Sequence, residues 1–173
     1  MKIEKHLIIP GKLSYVRGKK PDVGCILCAI RDRDSRVVSL EITRGKLMII
    51  SLNLYPYNPG HLMIFPRRHL TDLRQFEREE VLEMHRLQHL AMDVLGELYN
   101  PAGFNVGYNI GPTSGASIDH IHCHMVTRHR NEIGLLEMIS QGSRVLVEDP
   151  HETLAKLRGA FEGRVETIPD GSV

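Results

Sequence analysis

Apolar residues along the chain fall into short runs separated by turn-forming clusters, with one long stretch of three-and-four spacing among them. Residues 36–42 (RVVSLEI) and 46–52 (KLMIISL) are rich in β-branched and aliphatic side chains, which predicts two strands joined by a turn at Thr43, Arg44 and Gly45. Residues 55–60 (YPYNPG) form a turn-rich loop, since each proline fixes its own φ. A third strand follows at 61–65 (HLMIF) and stops at Pro66. Thr71 or Asp72 can cap the next element, with Glu77, Glu79, Glu80 and Glu83 gathered near its start. Leu87, Leu90, Ala91, Val94, Leu95 and Leu98 then recur by three and four, predicting one long amphipathic helix that ends near residues 99–101. Residues 103–110 read as a strand, 111–117 as a loop of small and hydroxyl residues, and 118–127 as a further strand. Short elements are expected at 135–139 and 145–147. A closing helix is expected at 152–161, with Leu154, Leu157 and Phe161 on one face. Antiparallel strands with one long helix across them make an α+β domain.

At 173 residues the chain is expected to form one domain, 1–173, with a leader segment at 1–24 and a C-terminal extension at 131–173. A net charge of +1 argues against nucleic acid as a partner. The longest apolar runs, such as residues 47–50, are far too short to span a membrane. The charged N-terminal residues lack a secretory apolar region, so the expected location is the cytoplasm. An odd cysteine count with one close pair, Cys25 and Cys28, points to a metal site or a redox pair rather than a disulfide framework.

Within the last predicted strand, His120, His122 and His124 alternate with Ile121, Cys123 and Met125. Side chains two apart on a strand share a face, so an extended backbone presents a row of imidazoles. Such a row has no evident packing benefit, because every ring carries polar nitrogens that need partners. The bland readings are a surface metal-binding tract or a chance cluster. The preceding stretch 109–117 (NIGPTSGAS) is small and hydroxyl-rich, suited to holding phosphate through backbone N–H and hydroxyl donors, although alone it reads as a plain surface loop. Phosphate donors followed directly by imidazoles suggest attack on phosphorus, since a neutral imidazole is a good nucleophile and splits one hard displacement into two. The developing charge would rest on the neighbouring histidines and loop donors.

The pattern of histidines at 120, 122 and 124 with apolar residues between and after them resembles the signature of the histidine triad superfamily, nucleotidyl hydrolases and transferases that work through a histidine–nucleotide intermediate. The likeness runs from about residue 25 to residue 126. Residues 52–63 (LNLYPYNPGHLM) and 103–109 (GFNVGYN) resemble the branch that cleaves diadenosine tetraphosphate by phosphorolysis, and the tail past Arg130 is loosely similar to it. Cys123 occupies an apolar slot, where a free cysteine serves as a small hydrophobe. The resemblance implies the histidine triad fold, an antiparallel sheet with one long helix and a shorter C-terminal helix, assembled as a homodimer or larger homo-oligomer. It implies His122 as the nucleophile and His124 as a hydrogen-bond partner of the α-phosphate region. Asn109, Ser117 and Gly115 match positions at the phosphate or leaving group, and His61 matches a fourth histidine that supports the site. Asn53 matches a polar position near the ribose. Leu52 and Ile64 either line a base pocket or are ordinary core. The substrate implied is an adenine dinucleoside polyphosphate, cleaved by phosphate in preference to water. Rival readings are a nucleoside phosphoramidate hydrolase, a zinc-stabilised nucleotide-binding module with vestigial catalysis, and a catalytic metal centre on the three histidines.

The C-x-x-C supplies half of a tetrahedral zinc site and needs two further ligands. His69 and His120 are the candidates, and some members of the superfamily carry such a Cys, Cys, His, His site at corresponding positions. Zinc there would be structural, joining the leader to the sheet. A redox pair or two inert thiols are the alternatives. A thioredoxin-like reading lacks the flanking βαβ pattern. His85 and His89, four apart on the long helix, either hold a metal or lie on a solvated face. Arg67, Arg68, Arg128 and Arg130 either attract a polyphosphate or are simply solvated.

Overall fold

The computed structural model describes residues 21–111, 113–130 and 149–166. Most of the expected leader, the short elements expected at 135–139 and 145–147, and the end of the C-terminal extension lie outside these residues. In chain order the elements are α1 (Ile26–Arg31), β1 (Glu41–Arg44), β2 (Met48–Leu52), β3 (Leu62–Pro66), a 3₁₀ turn (Leu73–Gln75), α2 (Arg78–Tyr99), β4 (Gly103–Tyr108), β5 (Cys123–Arg128) and α3 (Pro150–Phe161). The strands form one antiparallel sheet in the order β1-β2-β3-β5-β4. No described helix is long and apolar enough to cross a membrane.

Both faces of this sheet are covered, so every residue of β2 and β3 is buried and, apart from Ser51, the two strands read as apolar runs. On one face Met48, Ile50, Leu62, Ile64, Cys123 and Met125 pack against the Leu87, Ala91, Val94 and Leu95 stripe of α2 and against Leu154, Leu157 and Phe161 of α3. The residues between them, Ile49, Met63 and Phe65, point the other way and meet Leu27, Ala29 and Ile30 of α1. The histidine-bearing strand β5 pairs with β3 in the register Met63 to His124, which puts His124 on the α1 face.

Several boundaries differ from the sequence expectation. The first strand begins at Glu41 rather than residue 36, and a bulge between Glu41 and Thr43 breaks its register with β2. The turn after it falls at residues 45–48, where the Gly45 N–H donates to the Met48 carbonyl. The Glu83 carboxylate holds that turn by accepting from the N–H groups of Leu47 and Met48. Asp72 caps only the 3₁₀ turn, because Phe76 is extended. The long helix therefore starts at Arg78, where the Glu77 N–H donates to the Glu80 carboxylate. It ends at Asn100, in the left-handed region at φ 42°. The closing helix starts at Pro150, earlier than expected, since Asp149 accepts from His151 and Glu152 and proline suits the first helical position. The final strand is the most consequential change. It begins at Cys123, and residues 118–122 run outside the ladder, tied instead by the Ile121 N–H to the Leu70 carbonyl at 2.6 Å. The short helix α1 had no counterpart in the sequence reading.

Candidate active site

The segment entering β5 carries His120 and His122 without the constraint of strand pairing, and the two rings take different surroundings. His120 is 1% exposed, and its Nε2–H donates to the Pro66 carbonyl at 3.0 Å. That bond leaves Nδ1 as the acceptor, 3.4 Å from Cys25 Sγ and 3.6 Å from Cys28 Sγ. His69, just after β3, brings its own Nδ1 to 3.4 Å from Cys28 Sγ. Cys25 caps α1 and Cys28 lies in its first turn, so one helical turn presents both sulfurs to the same point.

All four ligand atoms lie within 4.8 Å of one another. A tetrahedral zinc ion with ordinary Zn–S and Zn–N lengths separates sulfur and nitrogen ligands by about 3.6 Å. The three sulfur–nitrogen separations above, 3.4, 3.6 and 3.4 Å, are close to that figure, and the donor set suits zinc. Burial pushes His120 down to about 4, so the ring is neutral and able to donate a lone pair. Burial and the neighbouring Cys25 push the bare Cys28 thiol up to about 11. A carbonyl behind a histidine ligand is the usual means of orienting such a ring.

His122 faces the other way. Its Nδ1–H donates to the His120 carbonyl at 2.7 Å, and the ring is 4% exposed. Burial holds it below the ordinary histidine value. In the neutral tautomer fixed by that carbonyl, the free lone pair sits on Nε2.

His124 has a second histidine behind it. The Tyr57 backbone N–H donates to His61 Nδ1 at 3.1 Å, so this nitrogen must accept and His61 Nε2 carries the proton. That proton is shared with His124 Nδ1 at 3.0 Å, which leaves the His124 proton on Nε2. The Tyr57 ring stacks on His61 with centroids 4.9 Å apart and planes 20° off parallel. One backbone amide thus orders two imidazoles. The rings of His122 and His124 meet edge to face at 4.6 Å. Together they present one lone pair and one N–H side by side.

Both rings line a cleft of about 270 Å³ on the α1 face of the sheet. Leu52, Asn53, Asn109, Gly115 and Ser117 line the same cleft, while His61 and Ile64 do not. His61 is fully buried behind His124. Leu52 is only 2% exposed and belongs to the α2-side core as well. The Asn53 carboxamide oxygen accepts from the Tyr55 N–H at 2.9 Å, shaping the turn that follows β2. In the loop between β4 and β5, Gly111 and Gly115 both have φ near +85°, and the Ser114 hydroxyl donates to the Gly111 carbonyl at 2.7 Å.

The apolar floor decides between the two readings of Ile64. Ile64 is fully buried against α2, and its neighbour Met63 lines the cleft instead, because alternate strand residues face opposite sides. Leu27 and Ile30 of α1 and Val37 complete the floor. Alternation along β3 was a usable signal for Met63; a six-residue helix without a clear apolar period offered none for Leu27 and Ile30.

Of the outlying candidates, His85 and His89 stack edge to face at 4.2 Å on the exposed side of α2, and among the described residues they belong to no group of three metal-binding side chains. Arg68 donates to the Glu80 carboxylate and Arg67 to the Lys46 carbonyl, so neither reaches toward the cleft. Arg128 and Arg130 do not line it either.

Comparison with known proteins places this geometry. The family model described as HIT domain matches residues 37–131, more than half of the chain. A protein named AP-4-A phosphorylase from Mycobacterium tuberculosis is 39% identical over 120 residues, covering 67% of this chain and 61% of that relative. The chain therefore spans about three-fifths of the length of that protein. A bis(5'-nucleosyl)-tetraphosphatase (asymmetrical) from Schizosaccharomyces pombe is 23% identical over 96 residues, 56% of this chain and 53% of that one. Among solved structures, a Zn-bound histidine triad family protein from Mycobacterium smegmatis superposes with a TM-score of 0.65 at 25% identity, covering 79% of this chain and 92% of that one. A hypothetical histidine triad nucleotide-binding protein from Sulfolobus tokodaii shares the fold, with a TM-score of 0.67 at 19% identity over 86% of this chain and 99% of that chain. The three histidines around β5, the sheet beneath them and the match over residues 37–131 agree: this chain belongs to the HIT family.

Proposed function

We propose that this chain cleaves dinucleoside polyphosphates such as diadenosine tetraphosphate through a covalent nucleotidyl-histidine. The observation that carries the reading is the His122 ring, held by the His120 carbonyl so that its Nε2 lone pair faces the cleft. In the first step Nε2 attacks the α-phosphorus. The P–N bond forms as the bridging P–O bond breaks, and the departing nucleoside polyphosphate takes the electron pair. In the second step a phosphate oxygen attacks the same phosphorus, and the electron pair of the P–N bond returns to His122. Diadenosine tetraphosphate and phosphate then yield ATP and ADP; with water as acceptor the second product is AMP. Phosphate as acceptor is supported by the likeness to the M. tuberculosis phosphorylase.

The other residues act around that exchange. The His124 Nε2–H, directed by His61, donates to an α-phosphate oxygen, where preorganised donors stabilise developing charge. Asn109, Ser117 and the Gly115 backbone hold the phosphates, Asn53 binds the ribose, and Leu52 with the apolar floor holds the base. Zinc on Cys25, Cys28, His69 and His120 supplies a structural cross-link between α1, the end of β3 and the entry to β5. The Zn-bound M. smegmatis neighbour supports this reading. The protein acts in the cytoplasm as a homodimer or larger homo-oligomer.

The test is to incubate the protein with diadenosine tetraphosphate, with and without phosphate, and to identify products. ATP and ADP formed only with phosphate are expected. AMP formed at a rate indifferent to phosphate overturns the phosphorolytic step, and turnover retained by His122→Ala overturns the covalent one.

A further inference from the structure

The cleft beside His122 has a larger neighbour. A second cavity, of about 570 Å³, opens on the other side of a wall made by Asn109, Ser117 and Ile118, which line both spaces. Gly24, Thr71 and Asp119 border only the larger one. The smaller cleft, at about 270 Å³, lies just under the usual range for small-molecule sites and has room for about one half of a dinucleotide. The other half must go elsewhere.

We infer that the second cavity is a subsite for the distal nucleoside of the substrate, the polyphosphate crossing the Asn109–Ser117 wall to reach it. This rests on the dinucleoside reading above. The chemistry of the lining chooses a nucleoside over a phosphate tail. Among the described residues that line the cavity there is no Lys or Arg and one carboxylate, Asp119, with Cys25 and His120 of the metal cluster also on its border. A polyphosphate would be repelled there. A ribose, by contrast, offers two adjacent hydroxyl donors to a carboxylate, and Thr71 is on the same lining. The volume also exceeds what a terminal phosphate would occupy. Asn109 and Ser117 touch both spaces, which suits groups that hold the chain of phosphates between two nucleosides.

Two ligands separate the halves of this argument: diadenosine tetraphosphate, and adenosine 5'-tetraphosphate, which lacks only the distal nucleoside. Binding of each is measured by calorimetry in a His122→Ala background, so that no turnover intervenes. The background is expected to bind the dinucleotide more tightly. Adding Asp119→Asn should raise the Kd for the dinucleotide about ten-fold, the lower end of the scale of one lost hydrogen bond to a charged group, without raising that for adenosine tetraphosphate. Simple relief of charge repulsion would tighten both. Gly24→Phe fills the cavity from its rim; a Cβ there meets nothing within 4 Å, and the glycine does not have a positive φ. It should act in the same direction. If Gly24→Phe lowers the thermal midpoint, Asp119→Asn and Asp119→Ala decide. No preference for the dinucleotide in the background, or a dinucleotide Kd within two-fold of the parent in the folded variants, overturns the subsite. Selective binding without any cleavage by the wild-type protein leaves the subsite standing and overturns the proposed reaction instead.

Discussion

His61 Nε2 lies 3.0 Å from His124 Nδ1, and the proton between them belongs to His61, because the Tyr57 amide already donates to its other nitrogen. A backbone N–H in the loop after β2 therefore determines which nitrogen of His124, on a different strand, presents a proton to the cleft. His61→Phe keeps a ring to stack under Tyr57 but removes this donor. We expect kcat to fall about ten-fold with KM little changed, the scale of one directed hydrogen bond. Steady-state kinetics on diadenosine tetraphosphate check it, with His61→Gln expected to recover part of the loss.

His122 is the group that bonds to phosphorus, and its replacement removes the two-step route altogether. His122→Ala should lower kcat by at least about three orders of magnitude, as removal of a nucleophile does elsewhere. Mass spectrometry of acid-quenched wild-type protein should detect the added nucleotidyl mass, and its absence from the wild type would count against the covalent step.

The Cys25, Cys28, His69 and His120 cluster ties α1 to the sheet, so metal loss should act on stability first. The purified protein is expected to contain about one zinc per chain. Cys28→Ser, or a strong chelator, should lower the thermal midpoint before activity measured well below that midpoint declines. Activity lost at once in a chain that remains folded would instead indicate a catalytic metal.

Glu80 is buried, and the Arg68 guanidinium beside it, aided by the Glu77 N–H, holds its carboxyl below the ordinary carboxylate value. A lowered folded-state pKa stabilises the protein above the unfolded value and loses that stabilisation as pH falls through the folded one. Wild type should therefore lose about 1 kcal/mol more than Glu80→Gln on going from neutral pH to pH about 3, a modest figure because Arg68 is half exposed. Denaturant unfolding of both proteins across that range measures it.

Gly60 has φ +75°, and a Cβ there would lie 2.8 Å from Leu95 and 2.9 Å from Tyr99. Gly60→Ala combines backbone strain with a clash against α2. A loss of about 2–3 kcal/mol is expected by thermal or denaturant unfolding. Since His61 follows directly, the same change should also lower activity in the fraction that remains folded.

Much of the site was legible along the chain because its chemistry is local. The histidines at 120, 122 and 124, the small-residue loop before them and the pair at 25 and 28 are each contiguous signals. The long helix was legible because Leu87, Ala91, Val94 and Leu95 keep a helical period. Of the two readings left for Ile64, base pocket or ordinary core, the structure gives core, since alternation along β3 turns Ile64 toward α2 and Met63 toward the cleft. Helix α1 went unread because six residues capped by a cysteine sulfur carry neither a common cap nor an apolar period.

By itself the sequence determined the residue types available for reaction, an α+β pattern of short strands and one long helix, and three imidazoles in close succession. Only the tertiary structure decided how those imidazoles divide. Pairing begins at Cys123, so the residues before it follow the contacts around them rather than the alternation of a strand. His120 meets the sulfurs of α1 and the Pro66 carbonyl, His122 is held by the His120 carbonyl at the cleft, and His124 is backed by His61. Those partners come from segments far apart in the chain, and their positions depend on which faces of the sheet α1 and α2 cover.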